Sequence, residues 1–262
     1  MTATTVLTAR ALLLDMDGTL VNSDAVVERI WRRWAERHGL DGDEVMKVVH
    51  GRQGYASMAV LLPGRPMERN LADNARMLAE ETADLEGVVA VPGAGPFLAS
   101  LRGLPHALVT SADAPLSTAR MAAAGLALPD VRVTAESVGA SKPDPEGFLK
   151  GAAELGVAPA DCLVFEDSGA GIAAGRAAGM RVVGGWGRGR GAPPGRTGPG
   201  PDGRAGGERR GRGDPGLVRV GGSTGMRSPH PRGEIRAGPV PREGARQGRE
   251  VSDSSFSRVS GP

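Results

Sequence analysis

The sequence predicts an α/β protein: a doubly wound parallel sheet with a small inserted helical domain and a disordered C-terminal tail. Short apolar runs ending in polar residues or glycine recur as far as residue 186, and segments with helical patterns separate them. Residues 24–91 interrupt this alternation, because they show helical patterns only. After residue 186 the composition changes abruptly to glycine, arginine and proline. We therefore expect a core from residues 1–23 and 92–186, a helical cap from residues 24–91, and a tail from residues 187–262.

The predicted strands are continuous apolar runs rather than alternating ones, as is typical of parallel strands covered by helices on both faces. They are ALLLD (11–15), HALVTS (106–111), CLVFED (162–167) and MRVVGG (180–185). The predicted helices of the core are PLSTARMAAAGL (115–126), PEGFLKGAAELG (145–156) and AGIAAGRAAG (170–179). The last two end in glycine, which suits a helix C-terminus. Polar residues of such a sheet gather at the carboxyl ends of its strands.

The cap begins with DAVVERIWRRWAERHGL (24–40), in which apolar residues, including Trp31 and Trp34, recur at helical spacing. We interpret the two tryptophans as core packing of a helical hairpin. The chain rejoins the sheet at the turn VPGA (91–94). An insertion at this point predicts a small mobile lid over the edge of the sheet.

The tail differs from the rest of the chain in charge and composition. Residues 187–262 contain 20 Gly, 15 Arg and 10 Pro among 76 residues, and they carry a net charge of +8, against −6 for residues 1–186. Such a segment cannot bury enough apolar surface to offset the entropy of ordering, which predicts disorder. An arginine-rich tail can bind nucleic acid, but Phe256 is its only aromatic residue and it has no regular RGG repeat.

A further interpretation of the tail is a shift of reading frame near codon 185, natural or from sequencing. Gly, Pro, Arg and Ala have codons rich in G and C, so a GC-rich gene translated in the wrong frame yields this composition. The change begins directly after MRVVGG, where a further strand is due. Translation of the other two frames tests the hypothesis, which fails if neither restores an apolar strand and an acidic surface.

Cysteine content and apolar segments indicate the compartment. Cys162, the only cysteine, lies in the apolar run CLVF, and we interpret it as a small buried hydrophobe. A lone cysteine permits no disulfide within the chain, which fits a reducing compartment. No window reaches the length that spans a bilayer, and MTATTVLTAR does not resemble a secretion signal. We expect a soluble cytoplasmic protein with no membrane partner.

The polar residues at the predicted strand ends, with one loop lysine, form the candidate site. They are Asp15, Asp17, Thr110, Ser111, Lys142, Glu166 and Asp167. Four acids so close together would repel one another unless a cation were present. Mg²⁺ fits, because it binds through oxygen and leaves positions for water and phosphate, whereas zinc fits poorly without a nearby His or Cys. We expect the carboxylates of Asp15 and Asp167 and the backbone carbonyl of Asp17 as metal ligands.

A metal ion, a lysine and a threonine together supply what a transferring phosphoryl group needs, namely positive charge and hydrogen-bond donors on its oxygens. We expect Lys142 and Thr110 to bind phosphate. Asp15 is the expected nucleophile, forming an aspartyl-phosphate that water later cleaves. Asp17 is expected to protonate the leaving alcohol and then to deprotonate the water.

Three neighbouring residues complete the predicted site. Gly18 permits a tight exit from the first strand, and the backbone amides around it can donate hydrogen bonds to phosphate. Ser111 is a second hydroxyl for the phosphate. For Glu166 we expect support of the metal and of the lysine rather than direct ligation.

Four motifs resemble those of the haloacid dehalogenase-like superfamily, in its order and at its spacing: DMDGTL, the strand end VTS, the lysine of SKPDP, and VFEDSGAGIAAGRAAGM. The helical insertion between the first and second motifs resembles that superfamily's helical cap of the first type. Within the superfamily, dehalogenases lack an acid at the position of Asp17, whereas phosphatases and phosphomutases carry one. Asp17 therefore favours phosphoryl chemistry.

The cap sequences VERIWRRWAERHGL (27–40) and VVHGRQGY (48–55) are similar to those of phosphatases that act on hexitol, hexose or glycerol phosphates. The resemblance implies a Mg²⁺-dependent phosphatase of small phosphorylated sugars or polyols. It implies that the cap loop faces the active site with His50, Gly51, Arg52 and Gln53, of which Arg52 or His50 would contact substrate. The alternative interpretation of this loop is a helix-ending glycine flanked by solvated polar residues.

Two other functions fit parts of the sequence. A phosphomutase of the same fold would return the phosphoryl group to a sugar, and release of inorganic phosphate without a bisphosphate activator would exclude it. A nucleic-acid binder with an inactive core would use the tail, and it requires salt-sensitive RNA binding by residues 187–262 alone. We expect the phosphatase, as a monomer or weak dimer with no nucleic-acid partner.

Overall fold

The computed structural model describes residues 3–184, 213–224 and 236–241. The strands are β1 (Ala3–Ala9), β2 (Ala11–Leu14), β3 (Val21–Asn22), β4 (Val89–Ala90), β5 (His106–Val109), β6 (Val131–Val133), β7 (Cys162–Glu166), β8 (Arg181–Gly184), β9 (Gly213–Thr224) and β10 (Arg236–Pro241). The helices are α1 (Asp24–Arg37), α2 (Gly42–Met46), α3 (Gly54–Leu61), α4 (Met67–Ala83), α5 (Ala94–Ser100), α6 (Ala114–Ala123), α7 (Glu146–Glu154) and α8 (Gly169–Ala177). Within the described ranges, no helix combines the length and the apolarity needed to cross a bilayer.

The central sheet has the strand order β6-β5-β2-β7-β8, and its pairings are parallel. β2 lies in the middle, with Leu12 opposite His106 of β5 and Ala11 opposite Cys162 of β7. The strands predicted from apolar runs are present as β2, β5, β7 and β8. The sequence did not predict β6, because VRV is short and has an arginine at its centre; pairing with β5 places it in the sheet.

Side chains of β2 alternate between two apolar cores, one on each face of the sheet. Leu12 and Leu14 belong to a core that also contains residues of α1, α5 and α6. Leu13 belongs to the other core, with Phe148 of α7 and Ala174 of α8. Helices therefore cover both faces, which explains the continuous apolar runs and confirms the predicted doubly wound α/β fold.

Helices α1–α4 fill the interval between β3 and β4. The two short strands pair antiparallel, with Val21 opposite Ala90, so the chain leaves and re-enters the core at one point. Trp31 and Trp34 of α1 are buried, with ring centroids 5.4 Å apart and planes at 69°. This edge-to-face arrangement is favourable for aromatic rings. It confirms that the tryptophans pack in the core.

Cys162 lies on β7 and is fully buried in the core beneath α7 and α8. Burial raises the pKa of its thiol to about 11, and the nearby charge of Asp161 adds to the effect. Such a thiol is protonated at neutral pH and therefore a poor nucleophile. The cysteine is the small buried hydrophobe that the sequence predicts.

A second sheet joins the N-terminus to part of the tail in the order β1-β9-β10. β9 pairs antiparallel with both neighbours, with Ala9 opposite Val218 on the β1 side. Of the tail predicted to be disordered, residues 187–262, the structure describes these two strands, and the rest of that prediction lies outside the described residues. Neither β1 nor β9 was predicted, because local patterns do not reveal pairing between distant segments. The reading-frame interpretation stays a hypothesis.

The close packing of α8 on the sheet depends on Gly175. A Cβ atom at Gly175 would lie 2.9 Å from Cγ2 of Val182 and 3.4 Å from both methyl groups of Val164. Because β-branched side chains have little rotamer freedom, we expect Gly175→Ala to lower the free energy of unfolding by about 1–3 kcal/mol in urea denaturation. Gly169→Ala in the same helix is the control, since a Cβ there meets no atom within 4 Å. Equal unfolding free energies for the two variants would contradict the close packing.

Candidate active site

The candidate site lies at the carboxyl ends of β5, β2 and β7, which are adjacent strands of the central sheet. Thr110 follows β5, Asp15 follows β2, and Glu166 ends β7. Because parallel strands end at the same edge, this order brings side chains from distant parts of the sequence together. The structure thus places these predicted residues side by side.

Lys142 occupies the centre of this cluster and is buried. Its Nζ donates hydrogen bonds to Asp15 Oδ1 at 2.7 Å, to Glu166 Oε1 at 2.8 Å and to the carbonyl of Val109 at 3.2 Å. These acceptors use all the protons of the ammonium group. Burial alone would lower the pKa of Lys142, but the two carboxylates outweigh it and raise the pKa above its ordinary value. The lysine is therefore charged across the physiological range.

The carboxyl group of Asp15 is buried as well. Burial raises its pKa well above the ordinary value; the charge of Lys142 opposes this effect, and the carboxylates of Glu166 and Asp167 add to it. The cluster holds three acids against one ammonium group. A further cation at this edge would therefore favour the ionised carboxylates.

Asp15, Glu166 and Asp167 have the chemistry to hold a hard cation. Each offers a carboxylate oxygen, and these oxygens lie within 4.8 Å of one another. Oxygen donors match Mg²⁺ better than zinc. Gly18 makes room for Asp167, since a Cβ at Gly18 would lie 2.1 Å from Asp167 Oδ2, and its φ of +84° favours glycine. The donor set fits the predicted ion, and the carboxylate of Asp17 lies outside this group.

Glu166 is fully buried and bound through both oxygens. Oε1 accepts from Lys142, while Oε2 accepts from the backbone N–H of Ser168 at 2.6 Å and from its hydroxyl at 2.9 Å. Ser168 in turn caps α8, because its hydroxyl accepts from the N–H of Gly171 at 3.0 Å. Glu166 thus joins the lysine to the start of α8, an arrangement that suits a supporting role.

Asp17 is held from two sides. Its Oδ1 accepts a hydrogen bond from the hydroxyl of Ser23 at 2.7 Å and pairs with Nη1 of Arg120 at 2.9 Å. Nη2 of the same guanidinium pairs with Oε2 of Glu81, in α4, at 2.5 Å. Neither Arg120 nor Glu81 is among the site residues that the sequence predicts. Arg120 is the only charged residue of its predicted helix, which is a weak indication of a functional role. Glu81 lies among other acidic residues, and nothing in the sequence distinguishes it from them.

Thr110 and Ser111 line a cavity above the cluster. The hydroxyl of Thr110 accepts a hydrogen bond from the N–H of Ala112 at 3.1 Å, which fixes the turn after β5. The hydroxyl of Ser111 donates to the carbonyl of Gly51 at 3.1 Å. Ser111 is therefore also a contact between the core and the cap.

The cap loop, residues 50–53, docks on the core. Three of its four predicted site residues line the cavity: His50, Gly51 and Arg52. Gln53 lies beside a smaller neighbouring cavity. Its N–H donates to Ser141 Oγ at 2.8 Å, and its side-chain amide donates to the carbonyl of Ala135 at 3.2 Å. In this arrangement Gln53 fastens the loop to the core, and the other three residues face the space above the cluster.

The cavity lies between the core and the cap. Its lining combines the core residues with apolar and polar groups of the cap, including Trp31, Arg52, Asn74, Met77 and Glu81. A cavity with polar groups on several sides suits a small polar ligand.

Fold and site define a class of α/β enzymes in which a parallel sheet presents a carboxylate–lysine cluster beneath an inserted set of helices. The chain belongs to the haloacid dehalogenase-like hydrolases, whose family profile matches residues 9–179. The match confirms the resemblance predicted from the four motifs.

Two curated relatives and one solved structure illustrate the similarity. Hexitol phosphatase A of Escherichia coli (strain K12) is 43% identical over 176 residues, which cover 66% of this chain and 82% of that protein. Glycerol-1-phosphate phosphohydrolase 2 of Saccharomyces cerevisiae is 31% identical over 190 residues, which cover 68% of this chain and 75% of that protein. The crystal structure of a hydrolase from Pseudomonas syringae aligns with a TM-score of 0.58 and 24% identity, over 67% of this chain and 83% of that chain. It supports the fold.

Docking of the cap loop depends on Gly51. A Cβ atom there would lie 2.0 Å from Ser168 Oγ, and the residue has a φ of +81°. We expect Gly51→Ala to displace the loop and to speed hydrogen exchange of the Gln53 amide by about tenfold or more, equivalent to about 1.4 kcal/mol. Gly64→Ala is the matched control, because its φ is +87° and a Cβ there meets no atom within 4 Å. Unchanged exchange of Gln53 in Gly51→Ala would show that the loop docks without this contact.

Proposed function

We propose that the chain is a cytoplasmic, Mg²⁺-dependent phosphatase that hydrolyses small phosphorylated sugars or polyols through an aspartyl-phosphate on Asp15. The observation that carries the proposal is the 2.7 Å bond from Lys142 Nζ to Asp15, at a cavity that Asp17 also lines. A buried carboxylate held by a lysine, with a second acid two residues further on, supplies a nucleophile and a proton donor in one cavity.

The substrate class rests on relatives and on the cavity together. The relatives establish a phosphatase of this family, and two of them are a hexitol phosphatase and a glycerol-1-phosphate phosphohydrolase. The cavity offers polar groups beyond the catalytic cluster, among them Arg52, Asn74 and Glu81. Polyol hydroxyl groups that leave water need such donors and acceptors. A small polyhydroxylated alcohol is therefore the leaving group that this lining favours.

In the first step, a carboxylate oxygen of Asp15 attacks phosphorus, and the bond from phosphorus to the ester oxygen breaks. Asp17 gives its proton to that oxygen, so the alcohol leaves uncharged. Lys142 and Thr110 bind phosphoryl oxygens, on which negative charge accumulates. To do so, Lys142 exchanges one of its three present hydrogen bonds for a phosphoryl oxygen. The products of this step are the alcohol, the aspartyl-phosphate and an ionised Asp17.

In the second step, Asp17 removes a proton from a water molecule as that water attacks the phosphorus of the aspartyl-phosphate. The bond between phosphorus and the oxygen of Asp15 breaks, and inorganic phosphate forms. Asp17 thereby regains the proton that it gave to the alcohol, and both carboxyl groups return to their starting states. A docked cap keeps bulk water away while the intermediate exists.

Asp15 and Asp167 would hold Mg²⁺ through their carboxylates, and Asp17 would hold it through its backbone carbonyl. When bound, the ion supplies positive charge to the phosphoryl oxygens and relieves repulsion within the acidic cluster. Glu166 remains on Lys142 and Ser168, and so keeps the lysine in place. The metal therefore complements a lysine site that the protein builds by itself.

The remaining predicted residues surround the substrate in this proposal. Ser111 binds phosphate by exchanging its hydrogen bond to Gly51 for a phosphoryl oxygen. The amides of Gly18 and Thr19 donate to the carbonyls of Val21 and Met16, at 2.7 and 3.2 Å, and are not assigned to phosphate. Arg52 or His50 contacts substrate hydroxyls or phosphate from the cap. Monomer or weak dimer, and the absence of a nucleic-acid partner, stay predictions.

A phosphate-release screen over hexitol, hexose, pentose and glycerol phosphates with Mg²⁺ tests the function. We expect the wild type to release phosphate without a bisphosphate activator, which also excludes a phosphomutase. Asp15→Asn removes the nucleophile, so kcat should fall by at least about 1,000-fold. Asp130→Asn is the control, because Asp130 is exposed and outside the cavity. No release from any compound of the panel, or full activity in Asp15→Asn, would exclude the proposal.

Binding of Mg²⁺ is tested without substrate. Because the ion offsets repulsion among ionised carboxylates, we expect millimolar Mg²⁺ to raise the melting temperature of the metal-free protein by a few degrees, about 1–3 kcal/mol of linked stability. Asp167→Asn should abolish most of this shift, and chelation by EDTA should abolish phosphate release by the wild type. An equal Mg²⁺ shift in Asp167→Asn and in Asp130→Asn would place the ion elsewhere.

A further inference from the structure

Arg120 connects a cap helix to Asp17 across a buried junction. It lies on α6 of the core, which packs against α4 of the cap. Nη1 pairs with Asp17 Oδ1 at 2.9 Å, and Nη2 pairs with Glu81 Oε2 at 2.5 Å. The side chain of Arg120 is 3% exposed, yet all three residues line the cavity. One guanidinium thus touches both the proposed acid/base and the cap.

Stability alone does not explain this arrangement. Removing the guanidinium of Arg120 and the carboxylate of Glu81 from water costs about as much as their mutual attraction returns, and apolar side chains of similar size often serve as well. Glu81 illustrates the cost, because burial raises the pKa of its carboxyl group even though the charge of Arg120 opposes the change. A buried charge cluster that also lines the substrate cavity therefore points to a role in the reaction.

The geometry indicates what that role is. A guanidinium is a rigid fork, so binding two carboxylates at once fixes where they lie relative to each other. Ser23 holds the same oxygen of Asp17, Oδ1, at 2.7 Å. The direction of the Asp17 carboxyl group therefore depends on two donors, Ser23 and Arg120. The position of Arg120 is in turn fixed by its ion pair with Glu81 of the cap.

We propose that Arg120 is a positioning residue, which orients the carboxyl group of Asp17 for proton transfer and, through Glu81, couples that orientation to docking of the cap. This inference rests on the proposed phosphatase function and adds a residue to it. Arg120 acts through Asp17, and no contact with the reacting atoms is assigned to it.

Departure of the alcohol is the step that should reveal this role. The alkoxide of a polyol needs a proton from Asp17, whereas p-nitrophenolate is a stable anion and leaves without one. The ratio kcat/KM covers the reaction only as far as the first irreversible step, which is departure of the leaving group. A misdirected Asp17 therefore lowers kcat/KM for a polyol phosphate much more than for p-nitrophenyl phosphate.

The experiment measures kcat/KM for sorbitol 6-phosphate, or the panel compound that the wild type hydrolyses fastest, and for p-nitrophenyl phosphate. For Arg120→Met we expect a loss of about 100-fold on the polyol phosphate and of less than about fivefold on p-nitrophenyl phosphate. Arg120→Lys keeps the positive charge but loses the planar guanidinium that binds two carboxylates at once. Its kcat/KM for the polyol phosphate should therefore lie between those of Arg120→Met and the wild type. Glu81→Gln weakens the ion pair between Arg120 and the cap. It should lower kcat/KM for the polyol phosphate less than Arg120→Met does, and again more than it lowers kcat/KM for p-nitrophenyl phosphate.

Two further variants guard against a folding defect. The double variant Arg120→Met, Glu81→Gln leaves no ionised carboxylate at position 81. It replaces Arg120→Met in the experiment if that single variant folds poorly. The quotient of the two kcat/KM values does not depend on the fraction of folded enzyme. Arg33→Met is the matched control, because Arg33 lies on the exposed side of the cap, 3.4 Å from Glu80, and should leave the quotient unchanged.

Equal losses on both substrates in the Arg120 variants would overturn the proposal and leave Arg120 as a structural ion pair. A different outcome separates this inference from the function on which it rests. If the wild type hydrolyses none of the sugar and polyol phosphates, the proposed function fails first, and the positioning role falls with it.

Discussion

The site depends on a single ammonium group placed between two buried carboxylates. Lys142 binds Asp15 at the end of β2 and Glu166 at the end of β7, and its third bond reaches the carbonyl of Val109 on β5. Without it, two acids at neighbouring strand ends would face each other away from water, which strongly disfavours ionisation of both. One side chain therefore joins three adjacent strands at their carboxyl ends and favours the ionised form of Asp15, the proposed nucleophile.

The cap is positioned by the same edge of the core. Ser141, which immediately precedes Lys142, accepts the hydrogen bond from the backbone of Gln53, and Ser111 donates to the carbonyl of Gly51. The loop that delivers the lysine thus also receives the cap loop. A displacement of the cap loop from the core would break contacts that adjoin the proposed reacting groups, so docking of the loop and assembly of the proposed site are linked in this arrangement.

The sequence reveals the fold and the core of the site because their signals are local. A continuous apolar run followed by DMDGT is visible without knowing its neighbours, and so is the lysine of SKPDP. Partners chosen across the fold leave no such signal. Asp17, Glu81 and Arg120 meet only after α4 packs on α6, and β1 becomes a strand by pairing with β9. Local patterns predict which side chains reach the sheet edge, but not which distant charge holds each of them.

The two aspartates of DMDGT show how surroundings divide the proposed work. The side chain of Asp15 is 7% exposed and bound to the lysine, whereas that of Asp17 is 30% exposed, and both line the cavity. The carbonyl of Met16 between them accepts hydrogen bonds from the backbone N–H groups of Thr19 and Leu20, at 3.2 and 2.8 Å, so the chain turns there, and Gly18 adopts a φ of +84° within the turn. A nucleophile benefits from a fixed position, while an acid/base must meet both the leaving alcohol and the incoming water. Two identical side chains can take these different roles because one is fixed by the lysine at the edge of the sheet and the other is more exposed to the same cavity.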